Sequence, residues 1–258
     1  MPCVFCGASG LTKEHIFAGW IAKLYPSENV GTGVIIAPDG ATKTYAMPPF
    51  NQTVRVVCAG CNNGWMSELE EKAAPLLRRM IKAGQAKRMS AEDQQLAATW
   101  SVKTAFMLQC IHPADRVVPE SEYRRFYDTK LPPVGLVVWL AARGGLRDHT
   151  GHELVVASRE QAIDRINVED PALEEKARRE VAEGRRLYRL TFTVGRLVFQ
   201  VFGHDFPAQF KIATPGQKQF RQWIWPLQEE ITWPPPVMIE AIGGIDGFHA
   251  SLQPPPSS

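Results

Sequence analysis

Two Cys-x-x-Cys turns, Cys3-Val4-Phe5-Cys6 and Cys58-Ala59-Gly60-Cys61, lie 51 residues apart and constrain this chain more than any other feature. A tight turn of this kind aims both of its sulfurs and its backbone N–H groups at one ion. Two such turns supply four thiolates, the donor set of a closed tetrahedral zinc site. The gap is longer than simple zinc-ribbon spacing. Zinc on Cys3, Cys6, Cys58 and Cys61 is therefore expected to clamp two distant segments rather than one short loop. The fifth cysteine, Cys110, falls in a helical stretch and reads as a buried thiol.

Composition narrows the class without naming a function. At 258 residues, with 45% hydrophobic and 22% charged residues, the chain has ordinary globular proportions. No run reaches the roughly 18 apolar residues that span a bilayer, so no membrane association is expected. Paired cysteines that bind metal suit a reducing compartment, and a cytoplasmic location is the expectation. A formal net charge of +2 is too small to argue for nucleic acid by itself.

In chain order, the first turn leads into an extended Leu11 and then Glu14-His15-Ile16-Phe17. Ile16, Trp20 and Leu24 follow at helical spacing. Val34–Ile36 and Thr42–Tyr45 flank Asp39-Gly40, a hairpin signal. Thr53–Val57 reads as the strand that delivers the second turn. Ser67-x-x-Glu70 has the form of a capping box opening a helix through Leu69, Ala73, Leu76, Leu77 and Met80, which Pro75 would kink. Residues 71–103 carry Lys72, Arg78, Arg79, Lys82, Lys87, Arg88 and Lys103 against Glu71, Glu92 and Asp93. That excess fits phosphate contact or, more commonly, a solvated helix face. Helices are expected at Ser90–Ile111 and Glu120–Thr129, strands at Gly135–Ala141 and Glu153–Ala157, and a hairpin of Leu187–Val194 with Arg196–Phe202 through Gly195. Pro171–Arg186 reads as an exposed helix or mobile insertion, Gly216–Trp225 as a further helical turn or two, and His149-x-x-His152 as loop.

Cys-x-x-Cys, an acidic-His pair, strands, Cys-x-x-Cys-Asn and a helix together resemble the zinc-stapled HNH endonuclease family with its ββα-metal (treble-clef) core. The words Leu-Thr-Lys-Glu-His-Ile-Phe and Cys-Asn-Asn-Gly-Trp-Met-Ser-Glu-Leu-Glu are similar to a bacterial and phage branch of it. The resemblance covers roughly the first 85 residues and implies roles by position. His15 is the general base, while Glu14 and Asn62 bind a catalytic divalent metal. The position of the family's middle Asn falls near Thr53, with Asn51 and Arg55 beside it. A carboxylate and an amide oxygen suit hard Mg²⁺ or Mn²⁺, and imidazole is the usual side chain for proton transfer near neutral pH.

Each of these residues also has a structural reading. His15 would be bonded to backbone, Glu14 would be a solvated carboxylate, and Asn62 and Asn63 would be turn or cap residues. Trp20, Trp65 and Met66 read as core around the zinc. The expected architecture is α+β, in three parts. A zinc-stapled treble-clef module spans 1–88, a helical and mixed, mainly antiparallel β-domain spans 89–252, and a disordered tail spans 253–258. The expected function is HNH-type hydrolysis of DNA, with a protein partner for the C-terminal half as a further possibility. The alternative is a non-catalytic zinc treble-clef module that binds nucleic acid or protein.

Overall fold

A computed structural model describes residues 2–25, 31–36, 41–47, 50–113, 116–144, 153–157, 166–167, 171–206, 211–212, 221–242 and 244–250. The fold is mixed α+β. Strand β1 (Leu11–His15) is followed by a single helical turn α1 (Gly19–Ala22), and β2 (Gly31–Ile36) and β3 (Thr42–Met47) form an antiparallel pair. β4 (Thr53–Cys58) runs into a turn α2 (Ala59–Cys61), a π-turn Asn62–Met66 kinked at Gly64, and helix α3 (Ser67–Ala83). After β5 (Lys87–Met89) come α4 (Ala91–Leu108) and α5 (Glu120–Thr129). The remainder is β6 (Leu136–Ala142), β7 (Glu153–Ala157), β8 (Ile166–Asn167), α6 (Pro171–Ala182), β9 (Leu187–Val194), β10 (Leu197–His204), β11 (Lys211–Ile212), β12 (Arg221–Trp225), β13 (Ile231–Trp233), a 3-10 turn Ile239–Ile242 and α7 (Gly244–Ala250).

The largest sheet has seven strands in the order β12-β6-β10-β9-β7-β2-β3, antiparallel except where β2 meets β7. Side chains alternate between its faces as the pleat requires. Leu190, Phe192, Val194, Leu197, Phe199, Val201, Val138 and Leu140 face the main core with α4. Val137, Trp139 and Phe202 turn the other way, under Ala177 and Val181 of α6, while Ala141 and Val198 meet Ile239, Ile245 and Phe248. The β9–β10 hairpin turns at Gly195, whose φ of 55° is left-handed. A Cβ there would lie 2.4 Å from Tyr25 Oη, so glycine serves both the turn and the close packing.

Helix α4 starts where expected. Ser90 caps it, its side chain accepting from Asp93 N, while Ser90 N donates to the Asp93 carboxylate. The expected apolar stripe understates it, since the run Gln94–Leu108 is buried almost all round between α3 and the sheet. α3 departs from expectation at its start. The backbone is already helical at Met66, past the Gly64 kink, so Ser67 makes no cap and Glu70 is released from that role. Pro75 stays inside the helix, on an exposed position, rather than dividing it.

Three further expectations are corrected. Only Gly19–Ala22 of the Ile16–Leu24 stretch is helical. Arg221–Trp225 is a strand paired with β6, not a helix, and residues 213–220 before it lie outside the described residues. Lys103 is completely buried and cannot join a phosphate-binding face. The sheet takes β2 and β3 from before position 88 and its other strands from after it, and one core cluster spans both sides, so the expected 88/89 boundary marks no break in the packing. The Asp39-Gly40 turn, His149 and His152, and the 253–258 tail lie outside the described residues. Among the described residues no helix is long and apolar enough to cross a membrane.

Candidate metal centre and the adjoining strand

The four cysteines converge. β1 pairs antiparallel with β4, with Leu11 opposite Cys58, which brings the end of β4 beside the first turn. Val4 N donates to Val56 O at 2.9 Å and locks that turn against β4. Cys3 N donates to Ala8 O and Gly7 N to Cys3 O, closing the turn on itself. The sulfurs of Cys6 and Cys58 are 3.4 Å apart, those of Cys3 and Cys61 3.8 Å, and all four lie within 4.8 Å of one another. A tetrahedral zinc with Zn–S bonds of about 2.3 Å places its sulfurs about 3.8 Å apart, so the donor set fits the ion in number, chemistry and size.

Charge points the same way. Burial opposes the Cys3 thiolate, but N–H groups of Cys6, Cys58 and Phe5 outweigh it and bring that thiol down to about 7. Burial pushes the Cys61 and Cys6 thiols up. Four crowded sulfurs cannot all ionise in a buried cluster without a cation among them. Cys110 is buried elsewhere, against Phe106 O and Tyr123 Oη.

The same strand pair places the other predicted residues. Asn62, the first residue after the last cysteine, donates from Nδ2 to Thr12 Oγ1 at 3.2 Å and to Lys13 O at 3.4 Å, and Thr12 Oγ1 donates to Val57 O at 3.2 Å. This relay ties the helix start to both strands. A register shift in β1 falls between Thr12 and Glu14. Glu14 is half-buried, and burial raises its carboxyl to about 7; Lys103 counters the rise, Glu70 adds to it, and His15 N–H and the Asn62 amide bond the carboxylate form. His15 is exposed and stands opposite Thr53 in the register. The structure thus brings the Asn62 amide to Glu14 and leaves His15, the next residue of β1, exposed to solvent. Asn63 lies in the π-turn rather than a loop turn.

Two residues that sequence reasoning missed lie directly below. Glu70 Oε2 accepts from Trp20 Nε1 at 3.0 Å and Trp100 Nε1 at 2.8 Å, and Oε1 pairs with Lys103 Nζ. Lys103 also reaches Ile16 O at 3.5 Å, just past the end of β1. A charged residue in the middle of an apolar helix, as Lys103 is, was the available signal. Comparison of the chain with protein-family models, with curated proteins and with solved structures returns no match.

Proposed function

We propose that this chain is a metal-dependent phosphodiester hydrolase of the HNH type acting on DNA. The observation that carries the reading is the approach of Asn62 to Glu14 at the seam of β1, β4 and the helix start, with His15 the next residue of β1, beside a cysteine cluster dimensioned for zinc. In this reading the module is a treble clef in which Cys3, Cys6, Cys58 and Cys61 hold a structural zinc that fixes the strand register. The Glu14 carboxylate and Asn62 Oδ1 are hard donors that would hold Mg²⁺ or Mn²⁺ once the Asn62 amide, whose Nδ2 bonds Thr12, Lys13 and Glu14, turns its oxygen towards the carboxylate. Such a cation supplies Lewis-acid stabilisation of phosphate oxygens. His15, facing solvent, takes a proton from the attacking water at an imidazole nitrogen. The groove of about 330 Å³ lined by Lys72, Arg79 and Lys87 offers cations to a phosphate backbone, although Lys87 already pairs with Asp93 at 3.0 Å.

One observation favours the rival, a non-catalytic zinc module that binds nucleic acid or a protein partner. Among the described residues the cysteines are the only group of three or more His, Cys, Asp or Glu side chains placed to share an ion, so Glu14 belongs to no ready-made cluster of three such ligands. Plasmid nicking by zinc-loaded protein with Mn²⁺ or Mg²⁺ separates the two. Cleavage by the wild type that His15→Ala abolishes at equal zinc content supports the hydrolase. A folded wild type that retards DNA without cutting it supports the rival.

A further inference from the structure

We infer that Trp65 and Lys130 form an outer shell around the four-cysteine centre, so that α5 and the residue that ends it govern how tightly the centre holds its metal. The inference rests on the reading of the cysteines as zinc ligands and goes beyond it, because Lys130 lies far past the last cysteine in sequence.

Trp65 follows Cys61 by one helical turn. Its ring stands edge-on to Phe5, inside the first Cys-x-x-Cys turn, at 5.1 Å, and to Phe126 of α5 at 5.6 Å. Its indole Nε1 is buried and makes no well-formed hydrogen bond, and the Cys61 sulfur is the neighbouring acceptor that its proton influences. A buried indole N–H without an acceptor is costly. A metal-bound Cys61 thiolate would satisfy it after a small turn of the ring and would in turn lose some negative charge.

Lys130 lies over that ring. Its Nζ is 5.3 Å from the Trp65 ring centroid and 3.5 Å from that of Tyr127, and it donates to Tyr127 O. Cys61 and Cys6 are both within its electrostatic reach. Lys130 ends α5 with a φ of 55°, a left-handed conformation that glycine or asparagine adopts more cheaply. A lysine placed there returns that cost through its side chain. A second α5 cation, Arg124, lies over the first turn, where a Cβ on Gly7 would come within 2.8 Å of its guanidinium.

The electrostatics give these contacts a purpose. Four thiolates around Zn²⁺ leave a dianion, and on the Trp65 side of the cluster, where Cys61 is buried, aromatic rings replace water. Unbalanced charge in such a setting is expensive. An ammonium held over the indole that faces the sulfur offsets it. Loss of an outer-shell partner typically weakens metal binding by about 10–100-fold.

The test uses full-length protein. Zinc affinity is measured by competition with a chromogenic chelator for wild type, Lys130→Met and Lys130→Arg. Lys130→Met is expected to bind about tenfold more weakly, at the lower end of that range because Lys130 touches the sulfurs only through the indole, with Lys130→Arg recovering most of the loss. In Co²⁺-loaded protein, Trp65→Phe is expected to move the sulfur-to-cobalt charge-transfer band to lower energy, since a sulfur that accepts no N–H gives up electrons more readily. Unchanged affinity and an unchanged band in folded variants would overturn the inference and leave α5 a packing role only. A wild type that binds neither zinc nor cobalt would instead overturn the zinc reading beneath it.

Discussion

Lys103 and Glu70 make an ion pair inside the core, and removing either partner should be far more damaging than removing both. The side chain of Lys103 is 1% exposed and that of Glu70 12%. Breaking a buried pair by deleting one charge costs about 3–5 kcal/mol, because the survivor stays in a low-dielectric site. Glu70→Gln strands the more deeply buried charge and is placed at the upper end, about 5 kcal/mol. Lys103→Met leaves Glu70 with two indole donors and some water, and is placed near about 3 kcal/mol. The double variant keeps an amide oxygen for Trp20 and Trp100 and buries no charge. Its amide N–H can turn to Ile16 O, so its cost is about 1–2 kcal/mol, that of one imperfect hydrogen bond. Urea unfolding of zinc-loaded protein at neutral pH reads this directly. With a slope of about 2–3 kcal/mol/M, Lys103→Met lowers the midpoint by about 1 M and the double variant by about half of that. Additive losses in the double variant would show that the two charges do not interact and would refute the reasoning.

His204 gives a pH signature. Burial, reinforced by Arg186, lowers its imidazole to about 4, whereas the unfolded chain takes up that proton near pH 6.5. Stability from this residue is therefore complete above pH 6.5 and is lost as pH falls towards 4. His204→Asn, whose side-chain oxygen can still accept from Phe206 N, should flatten the change in urea midpoint between pH 7.5 and 5; an unchanged slope would contradict the assignment. In the groove along α3, Lys72→Ala with Arg79→Ala should weaken DNA retention to a similar degree on all sequences and reduce the salt slope by about 2. Retention that these changes leave intact would place the DNA elsewhere.

The parts of this molecule that were legible in the sequence are those whose signals are local. The hairpin expected at Leu187–Val194 and Arg196–Phe202 shows alternation around a glycine, and α5 stops just before Leu131-Pro132-Pro133. The cysteine pairs carry their spacing with them, and the centre assembled as they suggested. The misreadings have a common physical cause. Ser67-x-x-Glu70 matches a capping pattern, but a kink three residues earlier had already started the helix, and Glu70 found donors on α1 and α4 instead. Lys103 looked like one more surface cation because its partner is a helix away. Arg221–Trp225 is short, and only its pairing with β6 makes it a strand. The parallel register of β2 on β7 joins segments more than a hundred residues apart, which no local pattern encodes. Glu14 and Asn62 were named from position alone; what the sequence concealed was the Thr12 relay and the buried charges under them.

The hydrolase, its non-catalytic rival and the outer shell all require that the four cysteines close on one metal ion. Native mass spectrometry of full-length protein purified without added metal, beside Cys58→Ser, tests that requirement most directly. The account predicts one zinc per chain in the wild type and a large loss of both zinc and cooperative unfolding in the variant. A wild-type chain that is folded and metal-free, with Cys58→Ser equally stable, would contradict it.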